Sequence, residues 1–328
     1  MDRPNSDEPW EQAKQIASLL GDVPSPFATA IRFLRIDAER WDNEIGKLSQ
    51  FCMRRLVNSM TCRSALYYCA RTFRPEKLAS LEQLGPEALL KIFNAGELST
   101  ILAMIYLYHR VKRGCNKKNW ELIAQPLMVH CELGGHIGEA IPNIGLSIGL
   151  LSGAMRFFGS SMFLGIDEKQ YLKYRRDNKI KRIAYDLDQE FTLWGCNHIQ
   201  VGSLMLQALG LGVPFAQAIA VGLEQGYPDP ASQLNHLPMA VGVTSTWIDS
   251  FLKTGKVPDI IHRGEFYPRE NDLAKLEAAV KAILANGSQH QWLMRGKSDI
   301  SAESVPFLFI DKTSTAEEAT NVLEELQQ

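Results

Sequence analysis

An all-α fold is predicted by two observations. Apolar residues recur at three-and-four spacing over most of the 328-residue chain, and the alternation expected of a half-buried strand is nearly absent. Glycine and proline fall between the periodic runs, at Gly21, Arg74-Pro75, Gly85-Pro86 and Gly114, where they disfavour continuation of a helix. With 45% hydrophobic and 22% charged residues, the chain is neither disordered nor fibrous and can build one large domain or two modest ones.

The elements follow in order. Trp10, Ala13, Ile16, Ala17 and Leu20 share one helix face, with Gly21 as its stop, so residues 1–20 read as an N-terminal helix. Val23-Pro-Ser-Pro26 breaks the chain, and from Pro26 to about Leu133 the breakers predict a run of short helices. From about 118 to 255 the chain is richer in apolar and small residues. Gly145, Gly149 and Gly153 stand four apart, which on a helix lines them along one face and lets a neighbouring backbone come close. The charged stretch from Asp167 to Arg182 reads first as a solvated helix or loop, and otherwise as a contact for an anion or a partner. Past about His262, Leu273, Leu276, Val280, Ile283 and Leu284 predict an amphipathic helix, and Asn286-Gly-Ser288 a turn after it. Val305 to Ile310 predicts a strand, and Ser314-Thr-Ala-Glu317 a capping box opening a last short helix. The expected division is therefore an N-terminal helix (1–20), a helical domain (21–262) and a C-terminal appendage (263–328).

A formal charge of −2 gives no global field to recruit nucleic acid or an anionic membrane. The basic runs Arg110 to Lys118 and Lys173 to Arg182 have little aromatic interleaving beyond Trp120, Tyr171 and Tyr174, which argues against a nucleic-acid partner. Cysteines 52, 62, 69, 115, 131 and 196 lack the density and pairing of a disulfide framework, and reduced thiols are expected. The amino terminus has no basic region followed by an apolar core, and the longest apolar stretch, Ile101 to Tyr108, is too short to span a bilayer. A cytoplasmic protein with no membrane partner is the expectation.

No local motif assembles a catalytic set. His130-Cys-Glu-Leu-Gly-Gly-His136 is the one local cluster of ligand types, yet His130 and His136, six apart, diverge on a helix. Cys196-Asn-His198 lacks the second pair of ligands a zinc site needs. Nucleophile elbows and glycine-rich phosphate loops are missing, and no cofactor is implied.

The order of features from Glu190 onward carries a family resemblance. Glu190-Phe-Thr-Leu-Trp-Gly195-Cys-Asn-His198-Ile-Gln-Val-Gly202, then Leu209-Gly-Leu-Gly-Val-Pro214 and Ala218-Ile219, resembles the HDOD domain, a helical signalling relative of the HD phosphohydrolases. Leu56-Val-Asn58-Ser59-Met60 is similar to that family's Asn-Ser segment, and Leu81-Glu-Gln-Leu-Gly85 to the helix and turn that follow it. The resemblance covers about residues 20 to 255.

It implies an HD-like multi-helix domain and directs attention to the HD metal positions, where a His, a His-Asp pair and a later Asp hold the ion that activates water. His130 matches the initial His, but the family's Gly-Leu-Leu-His-Asp element stands here as Gly149-Leu-Leu-Ser152-Gly153, and the later carboxylate falls at Ser245. A hydroxyl and a hydrogen atom cannot offset the dehydration of a divalent ion. The expectation is thus a degenerate, metal-free site, with α-helix packing closing the space at Gly153. The function implied is a non-catalytic bacterial regulatory module acting on a protein partner or through a small-molecule signal. The alternative is a divergent phosphohydrolase drawing ligands from His130, Glu132, His136, His198 or Asp249.

Overall fold

The computed structural model describes residues 7–40, 43–82, 85–224, 236–258 and 264–294. Among them are fifteen helices and no strand, the all-α class that the periodicity predicts. The strand expected at Val305 to Ile310 and the capping box at Ser314 lie outside the described residues. No helix among the described residues is long and apolar enough to cross a membrane.

The chain divides into two compact units, one formed by Met1–Asp22 with Arg110–Lys281 and the other by Val23–His109 with Ala282–Gln328. These boundaries follow different lines from a division at residues 20 and 262, since each unit joins segments distant in sequence.

In the second unit, α2 (Ser25–Arg40), α3 (Lys47–Val57), α4 (Met60–Phe73), α5 (Pro75–Ala79), α6 (Pro86–Leu90) and most of α7 (Ala95–Gly114) follow one another. Proline opens α5 and α6, where its missing N–H costs no intrahelical bond. Two buried polar clusters fix the connections. Asp37 accepts from Gly46 N at 2.8 Å and from the Ser49 hydroxyl, and Arg74 pairs through both Nη atoms with Glu97, whose backbone N–H is capped by Asn94 Oδ1 at 2.9 Å.

The first unit contains α1 (Glu8–Ser18), α8 (Lys117–Ala140), α9 (Gly145–Ile166), α10 (Glu168–Lys181), α11 (Leu187–Trp194), α12 (His198–Ala208), α13 (Val213–Gly222), α14 (His236–Thr254) and most of α15 (Glu270–Asn286). Its centre is α9, apolar around nearly its whole circumference, and α8, α10, α12, α13 and α14 all pack on it. Gly21 and Gly287 take positive φ just past α1 and α15, the stop and turn the sequence predicts.

The expected run of short helices up to Leu133 is not what forms. α7 spans 20 residues and α8 spans 24, the latter running on through Pro126 and Leu133. Its Gly134, Gly135 and Gly138 are buried, so tertiary contacts override their low helix propensity. The packing is backbone against backbone. A Cβ added at Gly134 would lie 2.1 Å from Gly149 O, and one at Gly138 would lie 2.3 Å from Gly145 O. Residues 130, 134 and 138 of α8 therefore meet 153, 149 and 145 of α9, an antiparallel pair interlocked by glycines at four-residue spacing.

Candidate functional site

Of the residues expected at a degenerate metal site, His130, Ser152 and Gly153 fall on the α8–α9 pair and Ser245 falls on α14. Ser152 is 4% exposed and donates its hydroxyl to Ile148 O of its own helix at 2.7 Å. A Cβ at Gly153 would sit 2.2 Å from His130 O, so the space of a side chain there is filled by the α8 backbone. His130 Nδ1 lies 2.9 Å from Pro126 O one turn back, and its ring meets Phe157 edge-on at 4.7 Å. Ser245 is half-buried on α14; Asp249, one turn on, is exposed and pairs with Lys253 at 3.3 Å. Glu132 is buried on α8, and His136 stands on the same helix. Among the described residues no three His, Cys, Asp or Glu side chains come together as a metal would require.

The residues that the structure does bring together surround Glu190 and His198, both fully buried. Asp186 caps α11 by accepting from Gln189 N, Gly195 ends it in the left-handed conformation, and Asn197 opens α12 with a capping box to Gln200. This tight connection turns Glu190 back onto the start of α12. Its carboxylate accepts from His198 N at 2.8 Å, from His198 Nδ1 at 2.8 Å and from the Tyr174 hydroxyl, which itself accepts from Asp186 N at 3.1 Å. On the other side of the ring, Arg156 Nη1 approaches His198 Nε2 at 3.4 Å, and Tyr185 stacks on the imidazole at 4.2 Å.

This environment selects one state of His198. A donor at Nδ1 suits Glu190, and a lone pair at Nε2 suits the guanidinium of Arg156, so the neutral Nδ1–H tautomer satisfies both neighbours. Burial is the largest cause acting on its pKa and lowers it; Glu190 opposes the shift and Arg156 adds to it. The arrangement is a carboxylate–imidazole–guanidinium relay with the Tyr174 hydroxyl on its carboxylate end. Chemically it orients and rigidifies.

Gly202 lets α12 approach Met155 O of α9, where a Cβ would come within 2.9 Å, and Pro214 stands in the first turn of α13. In the other unit Asn58 follows the end of α3 and Ser59 precedes α4, the latter with no side-chain capping bond. No two of the six cysteines form a disulfide, and burial pushes the Cys62, Cys115 and Cys196 thiols up to about 12, far from nucleophilic thiolates at neutral pH. Trp120, Tyr171 and Tyr174, the aromatics interleaved with the basic runs, are at most 2% exposed and cannot stack on nucleic-acid bases.

Burial also lowers the pKa of His130 and takes His136 down to about 4. The sign of the pH effect follows. Imidazoles of the unfolded chain titrate near 6.5, so the unfolded state takes up protons first as pH falls. Stability from these three histidines is present above pH 6.5 and is lost as pH falls below it, for His136 as pH drops towards 4. Urea unfolding at pH 7 and at about pH 5 is expected to differ by ~1–3 kcal/mol. Equal midpoints at the two pH values would show that these rings are not kept neutral by the fold.

No protein-family model, curated protein or solved structure matches the chain.

Proposed function

We propose that this is a non-catalytic regulatory module of the HDOD type, acting through a protein partner or a small-molecule signal in a bacterial pathway. The observation that carries the reading is the apposition of Gly153 and His130 O, which fills the volume a metal-binding side chain would occupy. The buried bond between Glu190 and His198 supports it from another direction, since these two residues carry the resemblance and the fold uses them as a rigid internal support. A cytoplasmic location belongs to the same proposal.

The test is direct. Purified protein supplied with Mn, Fe, Zn or Mg is expected to hold far less than one equivalent and to leave cyclic dinucleotides and simple phosphoesters uncleaved, with or without chelator. A pull-down from the native host is expected to return a defined protein partner. Stoichiometric metal together with chelator-sensitive turnover would instead establish the divergent phosphohydrolase.

A further inference from the structure

A cavity of about 630 Å³ opens between α8, α9 and α10. That is the size of a small-molecule site. Its floor and walls are largely apolar, with Ile123 and Pro126 from α8, Phe157 from α9, and Ile183 and Tyr185 from the segment after α10. Three cations, Arg175, Arg176 and Lys179, border it, and none of the described lining residues is a carboxylate.

One further observation separates this rim from an ordinary solvated helix face. None of the three cations forms a salt bridge among the described residues, whereas Lys181 on the same helix pairs with Asp186 at 2.7 Å. Asn178, also in the lining, is 2% exposed, and its amide lies against the Tyr174 hydroxyl that Glu190 and Asp186 N also engage. Three cations without a carboxylate at the mouth of an otherwise apolar cavity are complementary to a ligand with an anionic end and an apolar body.

We propose that the α8–α9–α10 cavity binds a small organic anion, an apolar body carrying a carboxylate or a phosphate ester, with Arg175, Arg176 and Lys179 holding the charged end and the apolar walls taking the body. The site stands on its own geometry. Only the view that its occupant is a signal rests on the regulatory reading, so metal-dependent turnover would sink that reading alone, and failure of the binding test below would sink the site alone.

The probe is 8-anilinonaphthalene-1-sulfonate, followed by fluorescence on the full chain at low ionic strength, with uncharged N-phenyl-1-naphthylamine as the control. One sulfonate is expected to bind per chain. In the Arg176→Gln/Lys179→Gln variant, which alters two exposed side chains and leaves folding intact, its affinity is expected to fall about tenfold while the uncharged dye binds as before. Decanoate or phenyl phosphate is expected to displace the probe, and whichever does so identifies the headgroup. Sulfonate affinity that ignores the charge substitutions, a parallel loss with the uncharged dye, or displacement by neither anion would overturn the site.

Discussion

A carboxylate placed at position 153 will break the α8–α9 pair and will not rebuild a metal site. The Cβ alone would lie 2.2 Å from His130 O, well inside van der Waals contact, and the nearby Cys131 Cα at 2.8 Å closes the other route. Both obstacles are backbone, so no rotamer change relieves them. Gly153→Ala is expected to cost ~3 kcal/mol or more, the upper range for overpacking a core. Gly153→Asp adds burial of a charge facing a carbonyl oxygen, several kcal/mol further, and should leave little folded protein. Gly149→Ala, 2.1 Å from Gly134 O, should behave as Gly153→Ala does. Two controls separate crowding from the loss of glycine itself. Gly145 has open space but φ of +72°, so alanine there should cost only ~1 kcal/mol of backbone strain; Gly114 has open space and no positive φ, so alanine should be neutral or mildly stabilising. Urea unfolding of the four alanine variants checks the order. A folded Gly153→Asp protein that takes up one equivalent of Mn would refute both the close apposition and the non-catalytic reading.

The sequence shows some of this design and hides the rest for physical reasons. Helix stops at Gly21, Arg74-Pro75, Gly85-Pro86 and Gly114 are legible because φ restriction and the missing proline N–H act locally. The stripe Gly145, Gly149, Gly153 is legible too, since four-residue spacing on a helix fixes one face whatever the partner. The partner face at 130, 134 and 138 is harder to see, because glycines and Pro126 inside α8 read locally as breakers and only contact with α9 holds them helical. The cavity escapes sequence reasoning altogether. Its walls come from three helices and a connecting segment, and the lack of carboxylate partners at Arg175, Arg176 and Lys179 depends on tertiary neighbours that no residue pattern encodes. The two-unit division is hidden in the same way, as each unit draws on discontinuous stretches.

Removing Glu190 is the other change with a large expected effect. Its carboxylate answers three buried donors, His198 N, His198 Nδ1 and the Tyr174 hydroxyl, and it balances the Arg156 guanidinium across the ring. Glu190→Ala leaves those donors in a dry interior and is expected to destabilise the protein by ~3–5 kcal/mol. Glu190→Gln nearly preserves volume, so it tests hydrogen-bond polarity with packing held constant. The amide can accept through one oxygen only; its NH2 group must then face a donor, or the imidazole must move its proton to Nε2, where Arg156 is also a donor. Either way one pair of donors is set against each other, and a loss of ~1–3 kcal/mol is expected. His198→Ala should cost a similar amount to Glu190→Ala, but the double variant should cost much less than their sum, because each single change already strands the other partner. A coupling of ~1–3 kcal/mol in that cycle is the quantitative signature of one network. Nitrogen NMR of the wild-type ring at neutral pH should find the proton on Nδ1 alone. Additive single and double variants, or a proton on Nε2, would mean that burial alone, with no selected tautomer, holds His198 in place.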